Sequence, residues 1–132
     1  MDANEALKQK LPGFAGYGDL AARRLTDGEV RAYLGERLAG LSVRLDPTGA
    51  AAERLDGLIL RAEFMNQQAL PYFDSTTLDA SHIEAVAGAD LATVELADRA
   101  DGVFNVDMLP DYLDKVAAAM DARDRAMQSS RA

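Results

Sequence analysis

Two stretches of this 132-residue chain hold side chains suited to binding or catalysis. The first is the connector Leu11-Pro12-Gly13-Phe14-Ala15-Gly16-Tyr17-Gly18, which is followed by Arg23 and Arg24. A glycine-rich loop leading into a helix frees backbone N–H groups to face an anion, and the helix N-terminus favours negative charge. The two arginines would add charge-assisted bonds. Tyr17, Arg23 and Arg24 are therefore candidate anion-binding residues. Against this, the loop lacks a preceding strand and the GK[ST] signature of nucleotide loops. Its plainer meaning is a sharp turn whose aromatics, Phe14 and Tyr17, pin it to the core.

The second stretch holds Asp98, Asp101, Asn105 and Asp107, oxygen donors spaced much as in a calcium loop. With Gly102 at the sixth position of such a loop, Asp101 falls fifth and Asn105 ninth. Ala97, Arg99 and Met108 then occupy the first, third and twelfth positions, where carboxylates belong. A divalent-cation (Ca/Mg) site over residues 97–108 is thus an alternative to a plain helix–loop–helix turn bent at Asp101-Gly102.

The single histidine, His82, follows Asp79 by three residues, a spacing that would place a carboxylate–imidazole base on one helical face. With Ser81 as the expected helix cap, His82 is expected to be exposed in the first turn. Cysteine is absent, which removes disulfides, thiolate metal sites and cysteine nucleophiles. No complete catalytic set assembles, so the expectation is a non-enzyme without a cofactor. Tyr72 and Phe73 are a further candidate contact, either folded onto the core or presented to a partner as a surface aromatic pair.

The elements that must position these residues are helices. The chain has 25 Ala and 17 Leu against 14 Val, Ile and Thr together, a balance that disfavours sheets. Asp2 and Glu5 mark a short helix to Lys10, and Asp19 to Leu45 reads as a long one, with Thr26 and Glu29 as a possible internal restart. Thr48 opens a helix expected to reach Leu70 and to stop at Pro71. Ser81 starts another that reaches roughly Arg99. A last helix begins near Asp107, carries Pro110 in its first turn and frays over residues 128–132. The expectation is one all-α domain over residues 1–132, in which residues 1–18 supply a short helix and a connector. Three to four main helices would then form an up-and-down antiparallel bundle.

The stretch LPGFAGYGDLAARRLTDGEVRAYLGERL (Leu11–Leu38) resembles a family of small helical bacterial proteins of unassigned function. The matching positions are Leu11, Pro12, Gly13, Gly16, Tyr17, Arg23, Arg24, Asp27 and Arg31. A weaker similarity covers FDSTTLDASHIEAVAGAD (Phe73–Asp90). Phe14 and Gly18 depart from the family pattern. The resemblance implies a helical fold and no catalytic residues.

Charge is segregated along the chain. Residues 1–61 balance nine bases against nine acids, whereas residues 62–132 hold 5 bases and 13 acids and so carry the whole net charge of −8. An acidic segment repels phosphate backbones, so nucleic acid is not an expected partner. A basic protein partner or self-association as a homodimer fits better. No apolar run reaches the roughly 18 residues of a membrane span, and no basic-then-apolar leader occurs, so the expected location is cytoplasmic. The expected role is a non-enzymatic interaction or scaffold module acting through its acidic C-terminal half.

Overall fold

The computed structural model describes residues 2–76 and 78–128. Those residues are all-helical. The α-helices are α1 (Ala3–Lys10), α2 (Leu20–Leu45), α3 (Gly49–Glu63), α4 (Leu70–Asp74), α5 (Ala80–Asp98) and α6 (Leu109–Gln128), with short 3₁₀ turns before α4 and between α5 and α6.

Aspartates start three of them. Asp2, Asp19 and Asp79 accept the backbone N–H of Glu5, Ala22 and His82, each satisfying a donor the first turn leaves free. The α2 helix ends at Asp46, which adopts the left-handed conformation (φ 47°) just before Pro47.

Three expectations about element ends change. The cap of α5 is Asp79, not Ser81. Thr26 and Glu29 lie inside an unbroken α2, and their side chains serve the connector instead. Thr26 Oγ1 donates to the Gly16 carbonyl at 2.8 Å and accepts from the Ala15 N–H at 3.2 Å, while Glu29 accepts from the Gly13 N–H at 3.0 Å. The third helix stops at Glu63, short of Leu70. Asn66 leaves the helical region and caps the Gln68 N–H with its own Oδ1, a local bond that competes with helix continuation. Pro71 then sits in the first turn of α4, where its missing N–H is harmless, so it opens a helix rather than closing one.

Helices α2 and α3 pack as a hairpin, and so do α5 and α6, in which Asp90 meets Arg123 and the Tyr112 hydroxyl donates to the Leu96 carbonyl. Across the two hairpins, Arg54 meets Asp114 and Arg61 meets Asp121, a step of seven on each helix, so α3 and α6 run in the same direction. Residues 64–79, including α4, carry the chain from one hairpin to the other.

The apolar core divides into two clusters. One gathers Leu34, Leu38, Leu41, Leu55 and Leu113, and the other Leu7, Tyr17, Val30, Tyr72 and Phe73. Each fully buried leucine contributes roughly 1.5–3 kcal/mol relative to exposure. Val30 and Leu34, one turn apart on α2, belong to different clusters, so a seam crosses the interior there. Among the described residues no helix is long and apolar enough to cross a membrane.

Candidate functional site: a buried ion network at the seam

The connector delivers Tyr17 to the seam. Gly16 takes φ +77°, which glycine adopts without steric penalty, and Tyr17 beside it is buried. Its hydroxyl donates to Asp90 of α5 at 2.6 Å. The second oxygen of Asp90 accepts Nε of Arg123 from α6 at 2.5 Å. Nη2 of Arg123 reaches Asp27 of α2 at 2.6 Å, and the other oxygen of Asp27 accepts Nε of Arg31 at 2.9 Å. Asp27, Asp90 and Arg123 are only 2%, 0% and 6% exposed, so these charges are tolerated because they are paired and hydrogen-bonded.

Burial pushes the Asp90 carboxyl upward, while Arg123 and the Tyr17 hydroxyl pull against it. Burial, and after it the Asp90 charge, drives the Tyr17 phenol far above its ordinary range. Tyr17 therefore keeps its proton at neutral pH and acts as a fixed donor rather than a base. The network ties the connector, α2, α5 and α6 together and presents no nucleophile.

The five binding candidates do not meet at one surface. Arg23 is 2% exposed and donates to the carbonyls of Tyr17, Tyr72 and Ser75, so its fork serves the backbone rather than an anion. Arg24 is exposed, pairs with Asp74 at 2.7 Å and lies over the Phe73 ring. Tyr72 and Phe73 are buried at 1% and 0% and pack edge-to-face, which makes them core rather than a surface pair.

His82 departs from its expected place. It is buried, and its Nε2 lies 2.9 Å from the Ala126 carbonyl and 3.2 Å from that of Met127. Carbonyls only accept, so Nε2 carries the proton, and Nδ1 has no partner among the described residues. Asp79 bonds the His82 backbone N–H and the Ser81 hydroxyl, which hold its carboxyl below the usual range, and the imidazole points elsewhere. No Asp–His base forms.

At the C-terminal end of α5, Asp98 turns back toward α1 and α2. It accepts Lys10 at 2.6 Å and the Tyr33 hydroxyl, and lies 4.0 Å from Arg37. Asp101, Asn105 and Asp107 are exposed, and Met108 Sδ accepts the Phe104 N–H. Among the described residues no group of three His, Asp or Glu side chains is placed to hold a metal ion.

Asp90 and Arg123 carry the network yet were not singled out from the sequence. A signal existed. Arg123 stands three residues after Met120, inside the gap before Met127 in the α6 stripe. Asp90 fills the same kind of gap between Ala87 and Val94 in α5. A charge on the apolar register of a helix predicts a buried pair.

Among the described residues, five carboxylates of the acidic half pair with bases of the charge-balanced half. Lys10–Asp98, Arg24–Asp74, Arg54–Asp114, Arg61–Asp121 and Arg61–Asp124 all join a base from residues 1–61 to a carboxylate beyond them.

Residues 99–108 form a knuckle that stays outside this pairing. Arg44 clamps it from α2, donating to the carbonyls of Val103 at 2.7 Å and Ala100 at 3.1 Å, and Val103 is buried. The clamp leaves Phe104 75% exposed, with Val106 and Met108 beside it at 39% each, among the exposed Asp101 and Asp107.

Comparison of the chain with protein-family models, curated proteins and solved structures found no match.

Proposed function

We propose that this protein is a non-enzymatic interaction module. Its four long helices form an up-and-down bundle in which the step from α3 to α5 passes between hairpins. Its working surface is the knuckle between α5 and α6, and the partner is a basic segment with an apolar face. The observation that carries the reading is Phe104, a large aromatic side chain held in solvent by a backbone that Arg44 and the buried Val103 fix in place. Exposed aromatics on a rigid support are efficient anchors, since little side-chain entropy is lost on docking. Asp101 and Asp107 flank the anchor and favour cationic side chains. The same carboxylates disfavour a second copy docking knuckle to knuckle, so a different protein suits the surface better than a homodimer.

The test titrates a synthetic amphipathic helical peptide, lysine-rich on one face and leucine-rich on the other, against the wild-type chain and Phe104→Ser. Binding is expected for the wild type, with affinity falling at least about tenfold in the variant. The melting temperature should not move, because the substituted side chain is exposed. Equal binding of an acidic peptide of the same pattern, or an unchanged affinity in Phe104→Ser, refutes the proposal. Sizing of the free chain reports self-association directly.

A further inference from the structure

The seam that holds the ion network also holds a cleft. It has a volume of about 220 Å³, lies between α2, α3 and α6, touches α5 through Thr93, and is partly open to solvent. An apolar cavity of about 150 Å³ already admits a benzene-sized molecule. Val30 and Leu34 of α2, Ala62 of α3 and Met120 of α6 form its apolar walls, and Arg31, Arg61 and Arg123 supply its cations.

The hydrogen bonds at this wall are unevenly satisfied. Each carboxylate is already held by a guanidinium: Asp27 by Arg31 and Arg123, Asp90 by Arg123, and Asp124 by Arg61. Unengaged donors remain at this wall. Arg123 uses Nε and Nη2, and its Nη1 has no protein partner among the described residues, although the side chain is 7% exposed and lines the cleft. Arg31 uses Nε on Asp27 and Nη1 on the Ala62 carbonyl, which leaves Nη2. Asn66, at the same wall, has its Oδ1 pinned by the Gln68 N–H, and its buried Nδ2 is without a partner among the described residues. Apolar walls with converging N–H groups match a ligand that has an apolar body and an oxygen head. The planar fork of a guanidinium matches a carboxylate.

We infer that this cleft binds a small organic acid. The carboxylate lies against Arg31 and Arg123, and a body of about six carbons lies against Val30, Leu34 and Met120. The cleft shares no lining residue with the knuckle, so either can fail alone.

Methyl-labelled methionine spectra test it, because Met65 and Met120 line the cleft while Met108 lies on the knuckle as an internal control. Hexanoate is expected to shift the Met65 and Met120 signals and leave Met108 in place. Hexanol should bind at least about tenfold more weakly, and acetate, which lacks the body, weaker still. Arg31→Lys keeps the charge beside Asp27 but loses the planar fork, and it should weaken hexanoate about tenfold with the spectrum otherwise native. This variant avoids Arg123, whose removal threatens the fold. Three results overturn the inference: no shift at Met65 and Met120 up to about 10 mM hexanoate, hexanol binding as well as hexanoate, or Arg31→Lys binding hexanoate like the wild type.

Discussion

Arg123→Met is the perturbation that interrogates the seam most directly. Methionine roughly conserves the stem and removes the guanidinium that bridges Asp90 at 2.5 Å and Asp27 at 2.6 Å. Asp27 keeps Arg31, but Asp90, which is 0% exposed, keeps only the Tyr17 hydroxyl among the described residues. Removing one member of a buried pair costs about 3–5 kcal/mol, chiefly because the other charge is left without a partner. A domain of this size has about 5–15 kcal/mol in total. The midpoint should therefore fall by roughly 10–20 °C in a thermal melt, at about 3–4 °C per kcal/mol.

Two further measurements separate this mechanism from simple loss of packing. Adding Asp90→Leu to Arg123→Met removes the stranded carboxylate, so the double variant should be more stable than the single one. The second measurement is pH. Burial holds the Asp90 carboxyl above its ordinary range even beside Arg123, and loss of the guanidinium raises it further. A carboxyl raised in the folded state gives its full stability below the unfolded value of about 3.9 and loses it as pH rises through the folded value. The deficit of Arg123→Met relative to wild type should therefore be largest near neutrality and shrink toward pH 4. A loss below about 1 kcal/mol at neutral pH, or a double variant no more stable than the single, refutes the buried-charge account.

Arg23→Met should cost about 2–4 kcal/mol in urea denaturation by removing the buried donors to the carbonyls of Tyr17, Tyr72 and Ser75, with amide exchange accelerated most in α4. Leu38→Ala, at a position 0% exposed in the larger cluster, should cost about 2–5 kcal/mol by the same measurement. On the acid side, the His82 N–H and then the Ser81 hydroxyl hold Asp79 below its ordinary range. Asp98 is pushed up by burial but drawn further down by Lys10 and Tyr33. Carboxyls lowered in the folded state give stability present above about pH 4 and lost as pH falls through their folded values, so Asp98→Asn should flatten the acid limb of a pH–stability curve.

The local elements were largely legible. Aspartate caps at Asp2 and Asp19, the apolar stripe through Val30, Leu34, Leu38 and Leu41, and the stop at Asp46-Pro47 depend on neighbours within a turn or two, so the order of residues contains them. Sequence reasoning missed the end of α3. Leu58, Ala62, Met65 and Ala69 keep a helical spacing that runs past the point where Asn66 diverts the backbone to its own cap. It also misplaced His82, whose burial depends on carbonyls more than forty residues away at the end of α6.

The site was legible only in fragments. Tyr17, Arg23 and Arg24 were in view as candidates near one connector, and Asp27 and Arg31 only as positions shared with the family the stretch resembles. Their partners Asp90 and Arg123, and the carbonyls of Tyr72 and Ser75, lie 49 to 96 positions away in the chain. Composition and periodicity alone determined that the chain is helical and which stripes of its long helices face inward, because those depend on backbone sterics and short-range burial. Which charges stand opposite one another was decided by packing. An arginine on a helix has no preferred partner until two hairpins close around it and exclude the water that would otherwise solvate it.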